Sequence, residues 1–267
     1  MKHLTYKKQI WKVQLWLNSI LPGNLKRSYQ SLQLRHLEIY STLKDKRILI
    51  IGTGKGKEIP NMFRKGALEI VGVDPSPVIK ESHFNGNFHL IESEGESLPL
   101  EDNSFDITYS IATLEHVRDP GKVISEMARV LKSGGILYCQ AGPLWYGFQG
   151  FHNKPEYPLL NQPWFHLLHS KEEIIEKLGV ERNEQYKERL DTIYNSNSYN
   201  RLPSKSYQKT CAWLTEHFIP LEIDFRLSFS ELEKFRRNHP GSYKILTENY
   251  DLNDLLLDSF TWVFQKN

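Results

Sequence analysis

The chain reads as an α/β protein: a doubly wound, mostly parallel seven-stranded sheet with an N-terminal helical addition and an insertion after the fifth strand. Three observations carry that reading. Short apolar runs alternate with helical patterns between residues 47 and 141, the signature of strand–helix–strand units. The first run opens into a glycine-rich turn, Gly52-Thr53-Gly54-Lys55-Gly56. After Gly142 the pattern breaks into an aromatic stretch, and regular periodicity returns only near residue 203.

The elements follow in order. Ile10, Trp11, Val13, Leu15, Trp16, Ile20 and Leu21 fall mostly along one side of a helix. Arg47 to Gly52 is a continuous apolar run, as expected of a strand buried on both faces. Thr53 to Arg64 is expected to start a helix. Ala67 to Asp74, Phe88 to Glu92 and Ser104 to Ile111 supply three further strands. Val123, Ile124, Met127, Val130 and Leu131 recur at helical spacing, Gly134-Gly135 breaks the pattern, and Ile136 to Ala141 is the fifth strand. Pro143 to Arg201 holds ten Phe/Trp/Tyr and one plainly helical piece, Ser170 to Leu178. A helix over Ser204 to Phe218, a strand over Leu221 to Phe229, a helix over Glu231 to Asn238 and a strand over Ser259 to Gln265 complete the pattern. The expected division is a basic helical cap (1–45), a binding core (46–142), an aromatic insertion (143–202) and the C-terminal part of the sheet (203–267).

Composition excludes several classes. The 267 residues have a mean hydropathy of −0.51, and no apolar run approaches the ~20 residues that cross a bilayer. The cysteines are Cys139 and Cys211 alone, too few for a disulfide framework, which fits a reducing, cytoplasmic setting. The first 47 residues carry ten Lys/Arg against Glu38 and Asp45. Such a leader reads first as a helix packed on its own domain or closing over a pocket. Peripheral contact with an anionic membrane is the alternative. Nucleic-acid binding is not expected, because no aromatics interleave with a long basic patch.

The glycine turn admits three ligands. A phosphate loop needs Gly-Lys-Ser/Thr, but Gly56-Lys57 is followed by Glu58. A dinucleotide fingerprint needs a third glycine at position 57, which is lysine. What remains is a nucleoside without a phosphate on the loop. Asp74, at the end of the next strand, then accepts hydrogen bonds from the ribose hydroxyls.

Five collinear motifs now stand together: Ile48 to Gly56, Gly72 to Ser76, Leu98 to Asp106, Leu114-Glu115-His116-Val117 and Arg129 to Gly135. Over about residues 45 to 142 the chain resembles class I S-adenosylmethionine-dependent methyltransferases of the type 11 group, similar to the ubiquinone and menaquinone biosynthesis enzymes. The resemblance implies a Rossmann-like methyltransferase fold and S-adenosylmethionine as cofactor. It implies that Gly52, Thr53, Gly54 and Gly56 pass under the methionine and ribose, and that Asp74 holds the ribose. Pro75 and Ser76 would shape the adenine edge, and Glu94, Gly95 and Glu96 would lie beside the adenine. Ser110 would sit near the transferred methyl. His116 matches a position at the start of a helix, structural or beside the cofactor. One position departs: the family commonly has an acid two residues before the first glycine, where this chain has Ile50.

A sulfonium methyl is already bound to a good leaving group, so alignment is the main requirement, with a general base where oxygen attacks. His152 and His166 in the insertion are the expected catalytic histidines. No metal is expected, because His152, His166 and His169 lack a ligand spacing with an acid in register. The expected activity is methyl transfer to a small-molecule or saccharide acceptor, at oxygen. Carbon methylation of a membrane quinone or lipid, and a non-catalytic cofactor-binding scaffold, are the alternatives.

Overall fold

The computed structural model describes residues 2–20, 28–152 and 154–267. The helices α1 (Lys2–Ile20) and α2 (Tyr29–Leu37) lead into β1 (Arg47–Ile51), α3 (Ile59–Arg64), β2 (Glu69–Asp74), β3 (Phe88–Glu92), β4 (Phe105–Ile111), α4 (Pro120–Val130) and β5 (Leu131–Ala141). The insertion contains α5 (Phe165–Leu168), α6 (Lys171–Leu178) and α7 (Glu184–Tyr194). Then come α8 (Ser204–His217), β6 (Phe218–Leu227), α9 (Phe229–Asn238), α10 (Pro240–Asn249), α11 (Leu252–Leu256) and β7 (Leu257–Lys266). The sheet has seven strands in the order β3-β2-β1-β4-β5-β7-β6. The first five are parallel, and β7 runs antiparallel between β5 and β6.

Alternation along the central strands sorts the core into two layers. Ile48, Ile50, Ile70, Ile107, Tyr109 and Tyr138 face one side, where Leu34 and Leu37 of α2 and Met62 of α3 cover them. Leu49, Ile51, Val71, Val73, Leu137 and Cys139 face the other, under α4 and α8. The helical stripe predicted for α4 is the buried one, and Asp119 caps its first turn by accepting from Lys122 N–H at 3.0 Å. The order reverses between β1 and β4, so a crevice opens beyond the carboxyl ends of β1, β2 and β4.

Several expectations shift. The helix expected from Thr53 starts only at Ile59, because Gly54 and Gly56 take positive φ and Pro60 fits the first helical turn. Between Phe105–Leu131 and Ile107–Ile136 the β4–β5 register slips, and Gly134 at φ +75° sits in the bulge. Helices α5, α7, α10 and α11 are additional to the expected elements. In α7 only Arg189, Leu190 and Ile193 are buried, too narrow a stripe to show against a polar sequence. The insertion packs around Trp145, Phe151, Phe165, Leu190 and Tyr199. Its Trp164 instead joins Leu232, Phe235, Leu246 and Leu255, so the helices of residues 229–256 pack with the insertion rather than extend the sheet.

The N-terminal helix docks on the sheet's edge. Trp11 is buried and stacks on His36 at 4.9 Å, while Lys8 donates to Leu221 O at 2.9 Å and pairs with Glu222 at 3.0 Å. Val13, Leu15 and Ile20 remain exposed, Leu21 lies outside the described residues, and so do the side chains of Ile10 and Trp16. None of the described residues of α1 lines the cleft. No described helix is long and apolar enough to cross a membrane.

Glu222 is the anchor of this contact, facing Lys8, His36 and Tyr40. Burial raises its carboxyl, but hydrogen bonds from His36, Tyr40 and Lys8, with the charge of His36, outweigh burial and hold it down at about 2. A depressed carboxyl stabilises the fold above its ordinary value of 4.5, and that contribution disappears as pH falls through about 2. Glu222→Gln is expected to cost about 2 kcal/mol in urea unfolding at pH 7. The two proteins should converge as the acid titrates; a constant difference at every pH would show that charge plays no part.

Candidate active site

The cleft is built from strand ends. Gly52 at φ +78° turns the chain sharply after β1, and a Cβ there would stand 2.2 Å from Thr113 Oγ1. The segment after β4 therefore crosses close over the glycine turn, and only glycine fits beneath it. Gly72 serves the same purpose one strand over: a Cβ there would meet Thr53 Cγ2 at 2.4 Å. That close approach lets Asp74 meet the turn. Its Oδ2 accepts from Gly54 N–H at 3.1 Å and from Thr53 Oγ1 at 3.3 Å, while Oδ1 accepts from Ser76 N–H at 3.0 Å. The carboxylate is thus oriented by three donors, and Oδ1, which accepts only one of them, retains a lone pair for a ligand hydroxyl.

The cleft has a volume of about 830 Å³. Gly52, Gly54, Asp74, Pro75, Glu94 and Glu96 form one side of it, and Ala112, Thr113, His116, Arg118 and Tyr199 another. A second cavity of about 260 Å³ shares Gly52, Gly54 and Ala112 with it and adds Gln30, Thr53, Lys55, Lys57 and Glu58. Glu58 is buried, which raises its carboxyl, with Lys57 opposing.

The sequence-predicted residues divide. Gly52, Gly54, Asp74, Pro75, Glu94 and Glu96 line the main cleft, and Thr53 the adjoining cavity. Gly56, Ser76, Gly95 and Ser110 line neither. Gly56 packs under Phe84, Ile59 and Ile79, and a Cβ on Gly95 would touch Ile51 and Val123, so both serve the turn rather than a ligand surface. Ser76 acts through its backbone, on Asp74. Ser110 is fully buried inside the sheet, level with Ile51 and Cys139, and the cleft wall at this point is Ala112 and Thr113 instead. Ile50, at the departing position, lies in the core under α2 and α3.

The two expected catalytic histidines part company. His166 is buried in the insertion, where its Nε2–H donates to Trp145 O at 2.6 Å. Burial holds it down at about 4, and it is not among the cleft residues, so the structure does not bring it to the reaction centre. The local sequence could not show that Trp145 and Phe151 would enclose it. His152 does approach. Its ring lies 5.0 Å from that of His116, which lines the cleft, and 5.1 Å from that of Tyr199. Burial and the neighbouring His116 hold His152 down at about 3, so its imidazole is neutral and weakly basic near pH 7. His116, also lowered by burial, starts no helix: α4 begins at Pro120.

Sequence reasoning missed Glu115. It is 2% exposed, lies beside His116, and neither carboxylate oxygen has a hydrogen-bond partner. Burial raises its carboxyl to about 8. The residue stood in view within the Leu114 to Val117 motif; its burial did not.

A glycine turn facing an oriented carboxylate at a switch point defines a class of α/β proteins that hold a nucleoside at the carboxyl edge of the sheet. Residues 49–139 match the family described as a methyltransferase domain. Over those residues the chain is similar to class I methyltransferase domains of the type 11 group, a family that uses S-adenosylmethionine. A tRNA U34 carboxymethyltransferase of Saccharophagus degradans is 32% identical over 141 residues, 49% of this chain and 43% of that protein. A thiol S-methyltransferase of Rattus norvegicus is 30% identical over 128 residues, 42% of this chain and 52% of that protein. The chain thus matches about half, or less, of the length of these curated relatives. Among solved structures, phosphoethanolamine N-methyltransferase 2 of Haemonchus contortus, in complex with S-adenosyl-L-methionine, superposes with a TM-score of 0.51 at 17% identity, covering 88% of this chain and 52% of that one. At that identity the likeness is one of fold.

Proposed function

We propose that the protein transfers a methyl group from S-adenosylmethionine to a hydroxyl oxygen of a small-molecule or saccharide acceptor. The observation that carries this reading is the oriented Asp74 carboxylate opposite the Gly52–Gly54 turn, in a cleft with room for a nucleoside and more. Asp74 would hold the ribose hydroxyls, and Pro75, Glu94 and Glu96 would border the adenine. The adjoining cavity suits an amino acid end: Lys55 and Lys57 for the carboxylate, Glu58 for the ammonium. Glu58 thereby takes over the charge missing at Ile50. The acceptor end is polar and aromatic, with His116, Arg118, Asn197 and Tyr199, a set that suits a hydroxylated ring. The residues of the insertion that reach it, Asn197, Tyr199 and Asn200, make that segment the acceptor-side wall.

Transfer forms an O–C bond as the C–S bond breaks, and the electron pair of the broken bond stays on sulfur. The protein's task is to align oxygen, methyl and sulfur. The test is incubation with methyl-labelled cofactor and panels of saccharides, small hydroxylated molecules, quinone-bearing liposomes and tRNA, followed by NMR of the labelled product. Label on oxygen of a saccharide or small molecule is expected. Label on carbon, or in tRNA, would overturn the acceptor assignment. Cofactor binding without transfer to any acceptor would favour a scaffold.

Glu58→Gln is expected to weaken S-adenosylhomocysteine about 10-fold, equivalent to about 1.4 kcal/mol. Binding of 5′-methylthioadenosine, which lacks the amino acid, should stay unchanged. Equal losses for both ligands would mean that Glu58 only shapes the turn.

A further inference from the structure

We propose that Glu115, His116 and His152 form a two-histidine, one-carboxylate site for a divalent first-row transition cation, set in the wall of the cleft, where the cation takes the acceptor hydroxyl as a further ligand. One ligating atom from each of the three residues lies within 4.8 Å of the others. Three such donors around a bound zinc-like ion stand about 3.4 Å apart, so small side-chain rotations close the set.

The surroundings prepare these groups as ligands. His116 Nδ1–H donates to Ser198 O, and His152 Nε2–H donates to Pro143 O at 3.0 Å. Each ring is fixed in one tautomer by a backbone carbonyl, leaving Nε2 of His116 and Nδ1 of His152 with their lone pairs. Outer hydrogen bonds of this kind orient metal-bound histidines. Glu115 supplies the independent sign of a ligand: its carboxyl is 98% buried, neither oxygen has a partner at hydrogen-bond geometry, and a cation would complete a polar group that burial otherwise leaves uncompensated. The donor set, nitrogen-rich with one oxygen, suits zinc, cobalt, iron or manganese rather than magnesium or calcium. Three protein ligands leave positions open, and His116 borders the cleft where the acceptor enters.

The role assigned to the cation rests on the methyl-transfer reading. A hydroxyl bound to such an ion loses its proton to solvent water more readily. The resulting oxygen then attacks the methyl, the O–C bond forms, the C–S bond breaks, and sulfur keeps the electron pair.

The experiment uses untagged, chelator-treated full chain, titrated with Co²⁺ by visible absorption, with S-adenosylhomocysteine binding measured separately by calorimetry. One Co²⁺ per chain with histidine-type bands is expected, displaced by Zn²⁺ and not by Mg²⁺. Glu115→Gln, which keeps the side chain's shape, and His152→Ala should each weaken Co²⁺ by about 100-fold or more. Both variants should still bind S-adenosylhomocysteine, which shows that they fold. Failure of the intact chain to bind Co²⁺ while it binds S-adenosylhomocysteine overturns the metal site and leaves the cofactor reading intact. Co²⁺ binding unchanged in both variants places the ion elsewhere and overturns the proposal as well. Co²⁺ bound at this site without S-adenosylhomocysteine binding would overturn the methyl-transfer role and keep the metal site.

Discussion

Asp74→Ala is expected to weaken S-adenosylhomocysteine binding by about 100-fold, or about 2.7 kcal/mol. In the proposed binding mode, ribose hydroxyls donating to this carboxylate would account for that size, since a hydrogen bond to a charged group contributes about 1.5 kcal/mol or more. The substitution also removes an organiser of the turn, because Gly54 N–H, Thr53 Oγ1 and Ser76 N–H all donate to this side chain. Asp74→Asn separates the two effects. The amide oxygen keeps one of the two backbone donors, Gly54 N–H or Ser76 N–H, and offers the ribose no charge. Calorimetry should therefore rank wild type above Asp74→Asn, and Asp74→Asn above Asp74→Ala. Equal affinity in all three proteins would move the nucleoside away from the carboxyl edge of β2.

Arg189→Met is expected to destabilise the insertion by about 3 kcal/mol. Arg189 is 6% exposed, and its guanidinium donates to Phe151 O, to His152 O at 2.8 Å and to Tyr199 Oη at 3.3 Å. Methionine fills similar space but donates nothing, so the His152 carbonyl loses the arginine and the Phe151 carbonyl keeps only the Tyr199 hydroxyl at 3.3 Å. His152 occupies a positive φ of 54°, a conformation that needs outside support in a residue with a Cβ. Loss of the arginine should therefore loosen the His152 turn and the Tyr199 wall together. Faster proteolysis within residues 143–202, with β1 to β5 unchanged in hydrogen exchange, is the expected pattern. An unchanged cleavage rate would mean that water satisfies both carbonyls.

Much of the binding half was legible because local patterns and the fold agree there. Ile48 to Ile51 reads as a buried strand and is one; the glycine turn, Asp74, and the stripe of α4 all fall where spacing put them. Short-range chemistry suffices in these cases: a glycine at positive φ, a cap, an apolar period. The acceptor half was less legible. Spacing offered His152 and His166 as equals, yet one borders the cleft cluster and the other is enclosed by Trp145 and Phe151. Glu115 and Glu58 gave no sign either, because nothing local says that a charged residue will be buried.

The sequence by itself determined the doubly wound sheet, the nucleoside turn and the carboxylate opposite it, since each depends on residues within one or two strand–helix units. Tertiary structure alone decided which histidine packs against the cleft residue His116, that helices α9 to α11 pack with the insertion, and that a basic leader is partly neutralised by Glu222 on the far edge strand. It also brought Glu115 and His116 to His152 across the insertion. These depend on contacts between segments distant along the chain, where packing and burial rather than residue spacing set the outcome.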